Sequence, residues 1–220
     1  MLVEPAGTIN VGSVARLCAN FGVEELRLVM PRCNPLDLDA RKMALKGEKF
    51  LLRAKQSESL IDAVADCRRV VATCGRIDHG EIPLHSPEKV MPWVVDSLGS
   101  EKVAFVFGRE DRGLTNQELQ IAQRVLTLHS SKNYPSLNLS HAVAVVLHEF
   151  MRFQQGTNHI EHGSIDSEMA LPYELEECLE DVKKLLLEVG FLLQHTAQSR
   201  MAKIRGLLQR GDIRTKEVAL

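Results

Sequence analysis

The chain has 220 residues, 45% of them hydrophobic and 25% charged, enough for a full core and an appendage, and its formal charge of -2 neither demands nor excludes a nucleic-acid partner. No run approaches the roughly 20 apolar residues of a membrane-spanning helix, and Met1-Leu-Val-Glu4-Pro5 lacks the basic and apolar regions of a signal peptide, so a soluble cytoplasmic protein with no membrane partner is expected. The five cysteines, Cys18, Cys33, Cys67, Cys74 and Cys178, are odd in number and form no CxxC pair, so reduced thiols are expected, with neither a disulfide framework nor a zinc site.

Short β-rich runs alternate with longer stretches at helical spacing. Leu2-Val3 is the first strand, and the helix after it, over about 12–21, takes Thr8 or Asn10 as its cap. The strand Leu26-Arg-Leu-Val-Met30 leads into a cationic stretch of Arg41, Lys42, Lys46, Lys49, Arg53 and Lys55. That stretch reads equally well as a grip on a phosphate backbone or as solvated helix faces. A helix over 57–66, the strand Arg69–Thr73, a helix over 86–98 and the strand Val103–Phe107 follow. Thr115 with Glu118 three residues on is a capping box for a helix over 115–122, and Asn138 or Ser140 opens a long apolar helix over 139–154 after the strand Val125–Leu128. Strands that are apolar on both faces imply a parallel sheet with helices on both sides, a doubly wound α/β domain.

A polar stretch from Gln154 to Ser167 then separates this unit from helices at about 173–189 and 196–209, with Gly190 at the break. The chain therefore divides into a domain over 1–153, a linker over 154–172 and a helical extension over 173–220. Leu175, Leu179, Val182, Leu186 and Val189 form a stripe that must dock on the chain itself or on a second subunit. Acids dominate from Glu161 to Glu188, whereas Arg200, Lys203, Arg205, Arg210, Arg214 and Lys216 make the tail basic.

Three segments, each following a predicted strand, combine turn-forming residues with polar and charged ones: Asn10-Val-Gly12-Ser-Val-Ala15-Arg16, Phe107-Gly108-Arg109-Glu110-Asp111-Arg112-Gly113-Leu114, and Tyr134-Pro135-Ser136-Leu137-Asn138-Leu139-Ser140. The carboxyl ends of strands are where α/β proteins bind ligands. No GxGxxG follows the first strand, and no P-loop, GxSxG elbow or HExxH is present, so dinucleotide, ATP, serine-hydrolase and metal chemistry all lose ground.

These three motifs, in this order, resemble those of the SpoU/TrmH branch of the SPOUT RNA methyltransferases over roughly 1–153, and the helical appendage is similar to that of the TrmJ-like tRNA (cytidine/uridine-2′-O-) methyltransferases. The resemblance implies a SPOUT fold whose sheet ends in a C-terminal trefoil knot, an outcome that periodicity alone argues against. It implies that the knot loops bind S-adenosylmethionine through Thr73, Cys74, Gly75, Gly108, Leu128, Ser136 and Leu137. Gly75 and Gly108 suit a cofactor pressed against main chain, where a Cβ has no room. Arg16 is implied as the group that meets the ribose hydroxyl, with Asn10, Glu110, Ser136 and Asn138 in supporting roles, while Arg109 and Arg112 are candidates for phosphate contact and not for catalysis. A guanidinium is effectively always protonated, so stabilising the developing alkoxide suits Arg16 better than a literal base role.

Cys74 invites a nucleophile role, but ribose methylation needs no enzyme thiol. The implied activity is 2′-O-ribose methylation of RNA, tRNA ahead of rRNA, by a homodimer whose site borrows from both chains, with no metal. The alternatives are a non-catalytic RNA-binding module of the same fold and a small-molecule α/β enzyme with an unusual nucleotide site.

Overall fold

The computed structural model describes residues 1–76, 80–97, 101–131, 133–134, 136–157 and 170–208. Seven strands are present among them: β1 (Leu2–Val3), β2 (Arg27–Val29), β3 (Lys55–Ser57), β4 (Arg69–Thr73), β5 (Leu84–His85), β6 (Val103–Val106) and β7 (Arg124–Leu126). All the pairings are parallel, in the orders β1-β2-β3 and β5-β7-β4-β6. The two sets join where β1 meets the end of β6: Val3 N–H donates to the Phe107 carbonyl at 2.8 Å and Phe107 N–H donates to the Met1 carbonyl at 3.0 Å. The result is a mixed-order parallel sheet of the kind the apolar strands predict.

The helices are α1 (Thr8–Asn20), α2 (Leu38–Ala44), α3 (Glu48–Leu52), α4 (Leu60–Val64), α5 (Pro87–Val95), α6 (Asn116–Leu119), α7 (Leu139–Thr157), α8 (Pro172–Glu188) and α9 (Gln194–Leu208), with a 3-10 turn at Leu45–Gly47 between α2 and α3. Side-chain alternation along the strands sorts the core into two layers. Leu2, Leu28, Val71 and Leu126 pack with Val11 and Val14 of α1, Val90 and Val94 of α5, and Val143 and Val146 of α7. Their neighbours Val3, Val29, Val70 and Val125 face the opposite layer, with Leu60 and Val64 of α4 and Leu119 of α6. Helices therefore cover both faces.

Several local expectations need correction. Helix α1 starts earlier than the apolar spacing suggests, with Gly7 as its cap and no side-chain cap bond, so neither Thr8 nor Asn10 caps it. Helix α6 keeps the Thr115–Glu118 capping box but runs only to Leu119, and α5 stops at Val95. Strand β3 and helices α2 and α3 were not foreseen. β3 is a polar edge strand held by main-chain pairing to β2, so it carries no apolar signature. Strand β7 ends at Leu126, which leaves Leu128 beyond the sheet.

In the hairpin of α8 and α9, Leu179, Leu192, Ala197 and Met201 are buried, with Leu175, Val182 and Leu186 packed against them. The α8 stripe is thus covered by α9, and Val189, 65% exposed, does not belong to it. Arg205 is bound by Glu176 of α8, at 2.8 Å through Nη2, so part of the basic tail is neutralised within the hairpin. Residues 158–169, which make up most of the predicted linker, and Arg210, Arg214 and Lys216 lie outside the described residues. Among the described residues no helix is long and apolar enough to cross a membrane.

Candidate active site

The turns after β4, β6 and β7 converge on one cavity at the carboxyl edge of the sheet. Main-chain bonding sets the first: Cys74 N–H donates to the Leu126 carbonyl at 2.9 Å, and the Thr73 hydroxyl donates to the Val106 carbonyl at 3.0 Å. The second turn is folded back on itself, with Gly113 N–H donating to the Arg109 carbonyl at 2.8 Å. Its closeness explains Gly108, where a Cβ would stand 2.1 Å from the Gly113 carbonyl carbon. The space a Cβ would take at Gly108 is filled by the protein's own backbone, so the turn itself requires glycine there.

The cavity measures about 470 Å³. Thr73, Cys74 and Gly75 line it from the first turn, Gly108 and Glu110 from the second, and Leu128, Ser136 and Leu137 from the third. All seven residues assigned to a cofactor by resemblance thus share one wall system, although they come from segments far apart in the chain. Of the apolar remainder of the lining, Phe107 and Leu139 fall within the sequence motifs, whereas Leu126 and Ala142 were not singled out because they read as ordinary strand and helix residues. A second cavity of about 570 Å³, lined by Ala6, Gly7, Asn10 and Arg32, shares Arg109, Glu110 and Asp111 with the first.

Glu110 stands between the two. Its Oε2 accepts from Ala6 N–H at 3.0 Å, while Oε1 accepts from Gly7 N–H and from Asn10 Nδ2, both at 3.0 Å. The carboxylate thus satisfies donors at the start of α1 that have no partner within the helix. Burial pushes its pKa up, but the bonds from Ala6, Asn10 and Gly7 outweigh it and leave the group below the ordinary carboxylate range. Asn10 in turn accepts at Oδ1 from Asn138 Nδ2 at 3.1 Å. The Asn138 side-chain oxygen accepts from Ser140 N–H at 2.9 Å, which caps α7 as the sequence suggests. One residue from each motif is therefore joined in a chain of side-chain bonds, Glu110 to Asn10 to Asn138.

Arg109 and Arg112 are less available for phosphate than expected. Arg109 Nη2 donates to Asp111 at 2.8 Å, and both arginines reach Glu4, each at 3.2 Å, where Arg32 also donates through Nε at 2.8 Å. Glu4 is buried and sits at φ 49°, in the left-handed region, so the end of β1 turns its carboxylate into this group of three guanidinium ions. Hydrogen bonding from Arg32 is the largest influence on its pKa, which lies below the usual value despite opposition from burial. Nothing in the sequence marks Glu4 as this hub.

Arg16 is not brought to either cavity. It lies exposed on α1, six residues past Asn10, which places it about 9 Å further along and about 240° around the helix axis. Ser136 lines the first cavity and is exposed.

A model of the SpoU rRNA methylase family matches residues 1–148. The tRNA (cytidine/uridine-2′-O-)-methyltransferase TrmJ of Salmonella choleraesuis is 32% identical over 222 aligned positions, covering 99% of this chain and 90% of that protein. The tRNA (cytidine-2′-O-)-methyltransferase TrmJ of Methanocaldococcus jannaschii is 36% identical over 153 residues, covering 68% of this chain and 65% of that protein. The crystal structure of TrmJ from Z. mobilis ZM4 superposes with a TM-score of 0.84 at 27% identity, covering 99% of this chain and 92% of that one. With a family model spanning both cavity-forming halves of the sheet, this chain belongs to the SpoU rRNA methylase family.

Proposed function

We propose that this chain methylates the ribose 2′-hydroxyl of tRNA, with S-adenosylmethionine as the donor. The observation that carries this reading is the convergence of Thr73–Gly75, Gly108, Leu128 and Ser136–Leu137 on one cavity that shares Glu110 with a second cavity beside Asn10. About 470 Å³ with apolar walls at Leu126, Leu128, Leu139 and Ala142 and turns from three strands around it suits a nucleoside-sized cofactor. When bound there, S-adenosylmethionine supplies a methyl group on a sulfonium centre, open to in-line attack by a hydroxyl oxygen. Glu110 and Asn10 hold the loop between the two cavities, and a ribose in the second would lie beside the first.

The guanidinium of Arg16 stabilises the charge that develops on the hydroxyl oxygen as its proton leaves to solvent and the methyl group passes from the sulfonium to that oxygen. Since Arg16 lies away from the cavities of its own chain, the reading requires a homodimer in which it reaches the partner's cavity. Exposed apolar side chains on the two packed helices α1 and α7, Ile9 at 53% and Val145 at 41%, support such an interface. The trefoil knot, the division into a methyltransferase domain over 1–153 and a helical extension over 173–220, and a cytoplasmic site of action belong to the same proposal. tRNA is favoured over rRNA because the Salmonella relative, matched along nearly its whole length, is named for tRNA.

The test is incubation of the protein with labelled S-adenosylmethionine and separated tRNA and rRNA, followed by nucleoside analysis. Label in 2′-O-methylated nucleosides of tRNA is the expected result. Label confined to rRNA would replace the substrate, and no binding of the donor in calorimetry would overturn the reading.

A further inference from the structure

Helix α1 is pressed by the segment that follows β2 on the face whose backbone carries Arg16. Gly47 makes the approach possible: a Cβ there would stand 2.4 Å from the Ala15 carbonyl oxygen and 2.7 Å from the Arg16 Cα. The backbone next to Lys46 is thus in direct contact with the backbone that bears Arg16. The bend that brings it there is strained, since Leu45 ends α2 at φ 49°, a left-handed conformation unusual for a residue with a branched side chain. A few residues earlier, Gly12 of α1 meets the main chain of Ala40 in α2 just as closely, at 2.2 Å from a Cβ to the carbonyl oxygen. The whole segment from α2 to α3 is therefore fixed rigidly to the helix of Arg16.

The charges on this segment do not balance. Arg41 is taken by Glu48 at 2.5 Å and Lys55 by Glu25 at 3.1 Å. Lys42, Lys46, Lys49 and Arg53 are exposed, and among the described residues none has a carboxylate within ion-pair distance. Lys49 lies over the Phe50 ring, 5.2 Å from its centroid, and Arg53 stands one helical turn beyond it. In the hairpin of α8 and α9 the match is closer but not complete: Arg205 is bound by Glu176, and Lys183 and Lys184 by Glu180 and Asp181, while Arg200 and Lys203 have no carboxylate within ion-pair distance among the described residues. Charges left unmatched on a rigid surface next to the proposed reacting group suit a polyanion that must be held in register with it.

We propose that the edge formed by α2, the 3-10 turn and α3 is where the RNA phosphate backbone lies while its ribose meets Arg16, with Lys46 the nearest contact and Lys42, Lys49 and Arg53 extending the track. This rests on the RNA reading above and adds the surface and the residues to it.

The experiment compares the full chain with the variant K42Q/K46Q/K49Q/R53Q for binding to unfractionated tRNA across 50–200 mM salt, together with steady-state methylation. Losing the contacts should lower the slope of log affinity against log salt by about 3, at 0.7–0.9 per phosphate contact. It should also raise KM for tRNA tenfold or more, leaving kcat at saturating tRNA and the affinity for S-adenosylmethionine unchanged. Lys46→Glu alone should raise KM more than Lys42→Glu, and these single variants carry the test if the fourfold variant fails to fold. The matched control K183Q/K184Q on α8 should behave as the unmodified chain. An unchanged salt slope in the fourfold variant, or an equal change in the control, overturns the proposal. If the unmodified chain neither binds nor methylates tRNA, the RNA reading itself falls, whereas normal activity with an indifferent variant removes this inference alone.

Discussion

Arg16 lines neither cavity of its own chain, whereas Glu110 accepts from the Ala6 and Gly7 main chain and from Asn10. Replacing Arg16 with alanine is expected to lower kcat about 100-fold or more, the scale of losing one transition-state donor, while calorimetry with S-adenosylmethionine shows unchanged affinity. Glu110 gives a pH signature. Its pKa in the folded chain lies below the ordinary value, so its stabilisation is present above the unfolded value, about 4.3, and is lost as pH falls through the folded one. Glu110→Gln should therefore be less stable than the unmodified chain at pH 7 and converge with it toward pH 3, as followed by urea denaturation. Convergence already at pH 6 would mean that its charge contributes nothing. Glu4 acts on the same principle, with Arg32, Arg109 and Arg112 in place of backbone donors.

Among the elements, the tight turn after β6 makes the sharpest demand on sequence. Gly108→Ala forces a methyl into the Gly113 main chain and is expected to cost at least about 1–3 kcal/mol, measured as a shift in denaturation midpoint. What could be read in advance follows from the same physics. Strands β4 and β6 were legible because Val70, Val71, Ala104 and Val106 are buried, leaving apolar runs in the sequence. Strands β3 and β5 were not, because edge strands form by main-chain pairing to a neighbour that only the fold supplies. The site was legible as motifs but not as contacts: Asn10, Glu110 and Asn138 are more than a hundred residues apart at the extremes, and no local pattern announces that they bond. Arg16 shows the limit most plainly, since its separation from Asn10 around α1 follows from helical geometry alone, and the proposed reach to a second chain has no signature in the sequence.

For the whole molecule, the decisive matter is whether two chains are needed. Mixing Arg16→Ala with a chain whose cavity is filled by Leu128→Trp should restore about a quarter of unmodified activity if sites are shared across a two-fold interface, because half of the pairs are mixed and each mixed pair keeps one complete site. Activity that stays at the level of the separate variants would make each chain self-sufficient and return Arg16 to an unassigned position. The bonds from Glu110 through Asn10 to Asn138 carry a further consequence. They tie the start of the helix that bears the guanidinium to the start of the helix whose Leu139 and Ala142 wall the other chamber. If a donor and an acceptor fill the two chambers joined by this latch, any factor by which the donor tightens the acceptor's grip must reappear, undiminished, when the acceptor binds first.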